Sequence, residues 1–275
     1  MRIDAHQHFW IFDAERDAWI TDDMSAIRKN FLPTDLGPVL KSNGIDGVVA
    51  VQASQSHEET QFLVDLSTMY AMIKGVVGWV DLQSAEVEKH LTYFKQFPII
   101  KGFRHVIEAE DDTDFLIRPA FLQGIRQLTA FGYTYDLLIR PRHYASTLVC
   151  VAQNPGQRFV LDHMAKPAIK AGEFDAWAAF MEKLASFQNV YCKISGLVTE
   201  ADWNRWTVSD FKRYITHAVR CFGAERVMFG TDWPVCLVAA SYADVMSIAG
   251  HGVSGFSQDE QDAFWGGNAV RFYNL

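Results

Sequence analysis

Short apolar and β-branched runs recur along the chain at positions 2–8, 47–53, 75–81, 99–106, 134–138, 158–163, 190–195 and 226–230. Between them apolar residues return every three or four positions. The first pattern is that of buried strands and the second that of amphipathic helices. Successive runs begin between 24 and 45 residues apart, room for a helix and two loops, so consecutive strands are expected to lie parallel. Eight such units predict a single (β/α)8 barrel, an α/β fold with helices outside a closed sheet.

Leu63, Leu66, Met69 and Tyr70 make one helical stripe, and Phe174, Trp177, Phe180, Met181 and Leu184 another. Both should coat the outside of the sheet. A last helix is expected after Ser257, where the serine caps free amides and Glu260 completes a capping box, and it should run towards Phe272 and Tyr273. No stretch rich in proline, glycine or serine breaks the rhythm, so residues 1–275 read as one domain. The longest interval follows the first strand. Its opening part, 9–30, is aromatic and charged without periodicity and is expected to form a lid over the barrel mouth.

Composition narrows the function. With 25 basic against 33 acidic residues the net charge is -8, which repels a phosphate backbone and excludes nucleic acid as a partner. No run approaches the roughly 18 apolar residues of a membrane span, and the first residues do not resemble a secretory leader, so a cytoplasmic protein is expected. Cys150, Cys192, Cys221 and Cys236 stand too far apart for a zinc ribbon and are expected to be reduced and buried. Eight tryptophans, nine tyrosines and 20 phenylalanines are an unusual share of aromatics, which points either to a ligand pocket or to a well-filled core. The outer helices are apolar enough to permit a homodimer.

In a (β/α)8 barrel the reactive groups stand at the carboxyl ends of the strands. Here those ends are polar. The first carries Asp4, His6 and His8, the second Gln52, the third Asp81, the fourth Arg104 and His105, and the fifth Asp136. The sixth carries Asp162 and His163, the seventh Lys193 and Ser195, and the eighth Asp232 and Trp233. Residues two apart on a strand point the same way, so His6 and His8 both face the axis, in a geometry that can hold one divalent cation. Of the neighbours Arg104 and His105, only one can point inward on a regular strand.

Six segments resemble the amidohydrolase superfamily, and within it the branch of amidohydrolase-related lactone hydrolases. They are DAHQHFW at 4–10, GWVDL at 78–82, KGFRH at 101–105, LDHMAKP at 161–167, KISGL at 193–197 and FGTDWPV at 229–235, spread over nearly the whole chain. The resemblance implies a hydrolase of sugar-acid lactones of the fuconolactone, rhamnonolactone or galactonolactone type, or of 2-pyrone-4,6-dicarboxylate. It also implies that His6, His8, His163 and Asp232 form the central cluster, with no metal obligatory and zinc the leading candidate if a single divalent ion binds. The superfamily places a further metal histidine after the fifth strand. This chain has Asp136 there, with His143 several residues beyond in helix or loop, which argues against a binuclear centre.

A lactone carbonyl needs an activated water and a place for the oxyanion. Asp232 is the candidate general base. His6, His8 and His163 are read as zinc ligands, as hydrogen-bond donors to the carbonyl, or as a buried cluster without chemistry. Arg104 is expected to meet the oxyanion or a substrate oxygen, or to form a structural ion pair. Candidate substrate contacts are Trp10 and Trp233 for sugar-ring faces, Gln52 and Asp81 for hydroxyls, His105, and Lys166 and Lys193 for a product carboxylate. Asp4 is expected to orient His6 or support its strand, and His57, His90, His217 and His251 to lie on the surface. The alternatives are a metal-dependent decarboxylase of an aromatic or muconate acid, which the missing fifth-strand histidine disfavours, and a non-catalytic sugar-acid binding protein.

Overall fold

A computed structural model describes residues 1–275. Eight parallel strands follow one another around the sheet in chain order: β1 (Ile3–Gln7), β2 (Gly47–Val51), β3 (Ile73–Gly78), β4 (Ile100–His105), β5 (Thr134–Leu137), β6 (Phe159–Leu161), β7 (Val190–Ile194) and β8 (Val227–Phe229). Each falls within or within two residues of its apolar run. The helices α1 (Pro33–Asn43), α2 (His57–Met69), α3 (Val87–Phe94), α4 (Pro119–Phe131), α5 (Tyr144–Gln153), α6 (Asp175–Ala185), α7 (Val208–Phe222) and α8 (Tyr242–Gly252) lie between and after them.

The barrel closes where β8 meets β1, just beyond the last regular residue of β8. Asp232 N donates to His6 O at 2.8 Å and His8 N to Trp233 O at 2.7 Å. Inside, Ile3, Ala5, Val49, Val51, Val77, Val160 and Met228 form an apolar plug, capped from below by Phe272 and Tyr273. A larger apolar shell fills the space between strands and helices.

Trp177, Phe180, Met181 and Leu184 on α6 are buried as expected, with Phe174 half-buried before it, whereas on α2 Leu63 and Leu66 are buried, Tyr70 packs partly against the core and Met69 is 65% exposed. The Ser257 capping box forms, with Ser257 N donating to Glu260 Oε2 at 2.8 Å. The last helix is nevertheless broken into α9 (Gln258–Asp262), a wide turn (Ala263–Gly267) and α10 (Asn268–Tyr273). Two further expectations are corrected. His217 is buried with Nε2 3.1 Å from Ala178 O, and His57 and His90 are half-buried with ring centroids 4.3 Å apart, so of the four only His251 is exposed. Cys150, Cys192 and Cys236 are buried, but Cys221 is only half-buried; none is disulfide-bonded. No helix is long and apolar enough to cross a membrane.

Segment 9–30 leaves β1 and returns beside it: Trp10 and Phe31 exchange both backbone hydrogen bonds at 2.9 Å. Its own Ile20 and Ile27 are buried, and its 3-10 turn Asp22–Ile27 packs against the turn Val235–Val238 that follows β8. It forms a wall pinned to the seam between the first and last strands.

Candidate active site

The register of β1 against β2 slips between Asp4 and Gln7, where three steps on β1 match two on β2. Such a bulge re-aims side chains. Ile3 and Ala5 thus join the interior plug, and His6 and His8 also point inward above it.

The two imidazoles meet there with His163 and Asp232. His6 Nε2 and His8 Nε2 are 3.2 Å apart. Asp232 Oδ1 lies 3.2 Å from His8 Nε2 and 3.8 Å from the Nε2 atoms of both His6 and His163. His8 Nδ1 is 2.8 Å from Val51 O, which can only accept, so Nδ1 carries a proton. His8 Nε2 facing a carboxylate oxygen at 3.2 Å calls for a second proton or a cation between them. His6, His8 and Asp232 therefore form a donor set that fits one divalent ion, with His163 Nε2 3.8 Å from the same Asp232 oxygen.

Electrostatics agree. Burial pushes the His6 imidazole well below its ordinary value, and Lys193 and His163 add to this against the pull of Asp162. His163 is lowered to about 4, again mainly by burial. Both rings are neutral near pH 7 and can offer lone pairs. Burial alone would raise the Asp232 carboxyl, but His163, the hydrogen bond to His8 and His6 outweigh it and leave it below the usual range.

Asp4 supports the strand ends. Its carboxylate accepts from Thr231 N at 3.0 Å, Tyr242 Oη at 3.0 Å and the backbone of His6 at 3.1 Å, tying β1 to the loop that carries Asp232. Burial raises it to about 6 despite those bonds.

Beneath the cluster lies a second polar layer. Arg104 Nη1 is 3.3 Å from His6 Nε2 and 3.1 Å from Asp162 Oδ2, and Nη2 donates to Gln52 O at 2.5 Å. Lys193 Nζ is 2.6 Å from Asp136 Oδ2, 2.9 Å from Asp162 Oδ1 and 3.0 Å from His6 Nδ1. Tyr273 Oη donates to Asp136 Oδ2 at 2.8 Å. Lys193 is fully buried under His6, so it supports that ring and does not face the mouth as a substrate contact. Asp136 is held in the same layer, and β5 delivers no ligand to the mouth.

His163 arrives by an unusual route. After β6 four consecutive non-glycine residues, His163, Met164, Ala165 and Lys166, are left-handed, with φ between 51 and 59°. Trp177 Nε1 donates to Met164 O at 2.6 Å and Tyr144 Oη to Ala165 O at 3.2 Å, holding the turn. Gly196, itself left-handed at φ 61°, leaves room for the ring: a Cβ there would stand 2.4 Å from His163 Nδ1. Ser195 Oγ lies 2.9 Å from the same nitrogen.

The remaining candidates divide. Lys166 reaches the rim, where it pairs with Glu108 at 2.6 Å. His105 points away from the axis, receiving Trp79 Nε1 at 3.3 Å, donating to Glu110 at 2.7 Å and stacking on Phe115, because Arg104 takes the inward position. Gln52 is buried, its Nε2 donating to Arg104 O at 3.3 Å. Asp81 caps its own turn, accepting from Gln83 N at 2.9 Å. Trp10 and Trp233 are buried to 2% and 3% exposure and pack edge-on against Phe31, so they build the aromatic flank of the mouth and present no open ring face. Sequence reasoning did not single out Asp162 or the rim residues Glu108, Arg140 and Glu200.

Fold and cluster together define a barrel hydrolase with a histidine-aspartate centre at the strand ends. The chain belongs to the amidohydrolase family, whose model, described as "Amidohydrolase", matches residues 3–275. An L-fucono-1,5-lactonase of Burkholderia multivorans is 38% identical over 288 aligned residues, covering 100% of this chain and 96% of that one. An L-fucono-1,5-lactonase of Burkholderia ambifaria is 33% identical, with 100% and 96% covered. Among solved structures, an amidohydrolase from Burkholderia multivorans with bound zinc superposes with a TM-score of 0.96 at 37% identity, covering 100% of this chain and 99% of that one.

Proposed function

We propose that the protein hydrolyses the ring ester of a sugar-acid lactone of the fucono-1,5-lactone kind, releasing the open acid. The observation that carries this reading is the convergence of three imidazole nitrogens and the Asp232 carboxylate at the mouth, in a chain similar from end to end to L-fucono-1,5-lactonases.

Water is the nucleophile. Asp232 accepts its proton as the oxygen attacks the ring carbonyl, then passes the proton to the ring oxygen as the C–O bond breaks. Arg104, buried beneath the cluster and paired with Asp162, holds a fixed positive charge against His6. Asp162 and Lys193 fix the far side of the His6 ring, and the Val51 carbonyl fixes His8. His6, His8, His163 and Asp232 would hold a single divalent ion, zinc by likeness to the zinc-bound relative; when bound, the ion polarises the carbonyl or lowers the pKa of water.

Proton release from a panel of aldonolactones, followed with and without chelator, tests the reading. Ring opening is expected fastest with L-fucono-1,5-lactone, and Asp232→Asn should slow it by about a hundredfold or more while the protein stays folded. If no lactone in the panel is opened, the reading fails.

A further inference from the structure

Two cations of the mouth, Lys166 and Arg140, are already matched by carboxylates. Lys166 Nζ stands 2.7 and 2.6 Å from the two Glu108 oxygens. Arg140 Nε is 3.2 Å from Glu108 Oε2, and its Nη1 is 3.1 Å from Glu200 Oε2. Below them Arg104 is paired with Asp162, and Lys193 with Asp136 and Asp162. The rim chain Lys166–Glu108–Arg140–Glu200 takes one residue from each of the four loops after β4, β5, β6 and β7. Glu108 is its centre, since it alone touches both rim cations. Burial pushes its carboxyl up, but Lys166 and Arg140 outweigh this and keep it ionised.

An anionic group entering here finds Lys166 and Arg140 already paired with carboxylates. It meets Glu108, Glu200 and Asp232, and must compete with carboxylates that hold Lys166 and Arg140 at hydrogen-bond distance. An uncharged lactone meets no such barrier. Its hydrolysis, however, creates a carboxylate in the same place, and the prior pairing of Lys166 and Arg140 favours release.

We infer that Glu108 is a specificity-determining residue: by occupying Lys166 and Arg140 it restricts the site to lactones without a carboxylate and speeds departure of the acid product. This rests on the lactone reading above. The test compares kcat/KM for L-fucono-1,5-lactone and for an aldaric acid monolactone, which carries a free carboxylate, in the wild type and in Glu108→Gln. The wild type should strongly prefer the neutral lactone. Glutamine keeps the size and frees the cations, so the preference should narrow by about tenfold or more, and inhibition by the open sugar acid should tighten to a similar degree. Adding Lys166→Met to Glu108→Gln should cancel most of the change. Equal kcat/KM for the two lactones in the wild type overturns the inference, as does a folded Glu108→Gln protein whose preference and product inhibition are unmoved. Should Glu108→Gln fail to fold, Glu200→Gln frees Arg140 alone and is expected to show the same change in smaller measure. If the wild type opens neither lactone, the lactone reading has failed; calorimetric binding of the sugar acid to wild type and variant then still decides whether Glu108 repels anions.

Discussion

Gly196 shows how closely the reactive side chains are fitted. Its left-handed backbone and the approach of His163 each exclude a side chain, so Gly196→Ala should push the imidazole off the axis and strain the loop after β7. The expected outcome is a loss of kcat larger than the loss of thermal stability would explain, measured on the same preparation; normal kcat would show that His163 has room to move. At this scale much of the site was legible, because His6, His8, His163 and Asp232 are polar residues at the ends of apolar runs. Asp162 was visible at the end of the sixth run but carried no role, since regular alternation would turn only one of Asp162 and His163 inward. Both do, since β6 stops at Leu161 and the chain then turns left-handed. Lys193 read as a reach towards substrate, because nothing in one sequence says that Asp136 and Asp162 wait for it across the barrel.

Among the elements, that left-handed turn is the costly one. Each non-glycine residue in this region loses roughly 1–2 kcal/mol relative to ordinary backbone, and there are four in succession. Hydrogen bonds from Trp177 on α6 and Tyr144 on α5 offset part of this. Trp177→Phe keeps most of the packing and orphans the Met164 carbonyl, so it should destabilise the protein by about 1–3 kcal/mol in denaturant titration and lower kcat as the turn relaxes. A stability loss with kcat intact would mean that His163 is placed by something other than the turn. Strand and helix identities were legible from periodicity, which depends on burial alone. The turn was not, because His-Met-Ala-Lys has no glycine or asparagine to announce positive φ. The break in the last helix at Gly266, and the bulge in β1, are likewise set by contacts far away in the chain.

For the whole molecule, the buried titratable groups make opposed contributions to acid stability. His6 and His163 are lowered in the fold, so the unfolded chain binds more protons and stability falls as pH drops below about 6.5. Asp4 and Asp136 are both raised to about 6, so the folded chain binds more protons and stability rises as pH drops through that value. The two effects oppose each other between about pH 6 and 4. Below about 4, Asp162, Asp232 and Glu108, all lowered, resist protonation in the fold and only destabilise it. The melting temperature, followed by circular dichroism, should therefore change little down to about pH 4.5 and fall steeply below 4. A steady fall from pH 6.5 would show that Asp4 and Asp136 do not hold protons.

The seam between β8 and β1 has a consequence for how the protein comes into being. His8 and Asp232 are 224 positions apart, and the backbone bonds that close the barrel flank both. A nascent chain leaving the ribosome carries two of its four central residues almost at once, yet must wait for nearly all the rest before they have anything to meet. The centre is in effect the clasp of the ring. A chain cut short before the eighth strand is not a feebler catalyst but an inert one.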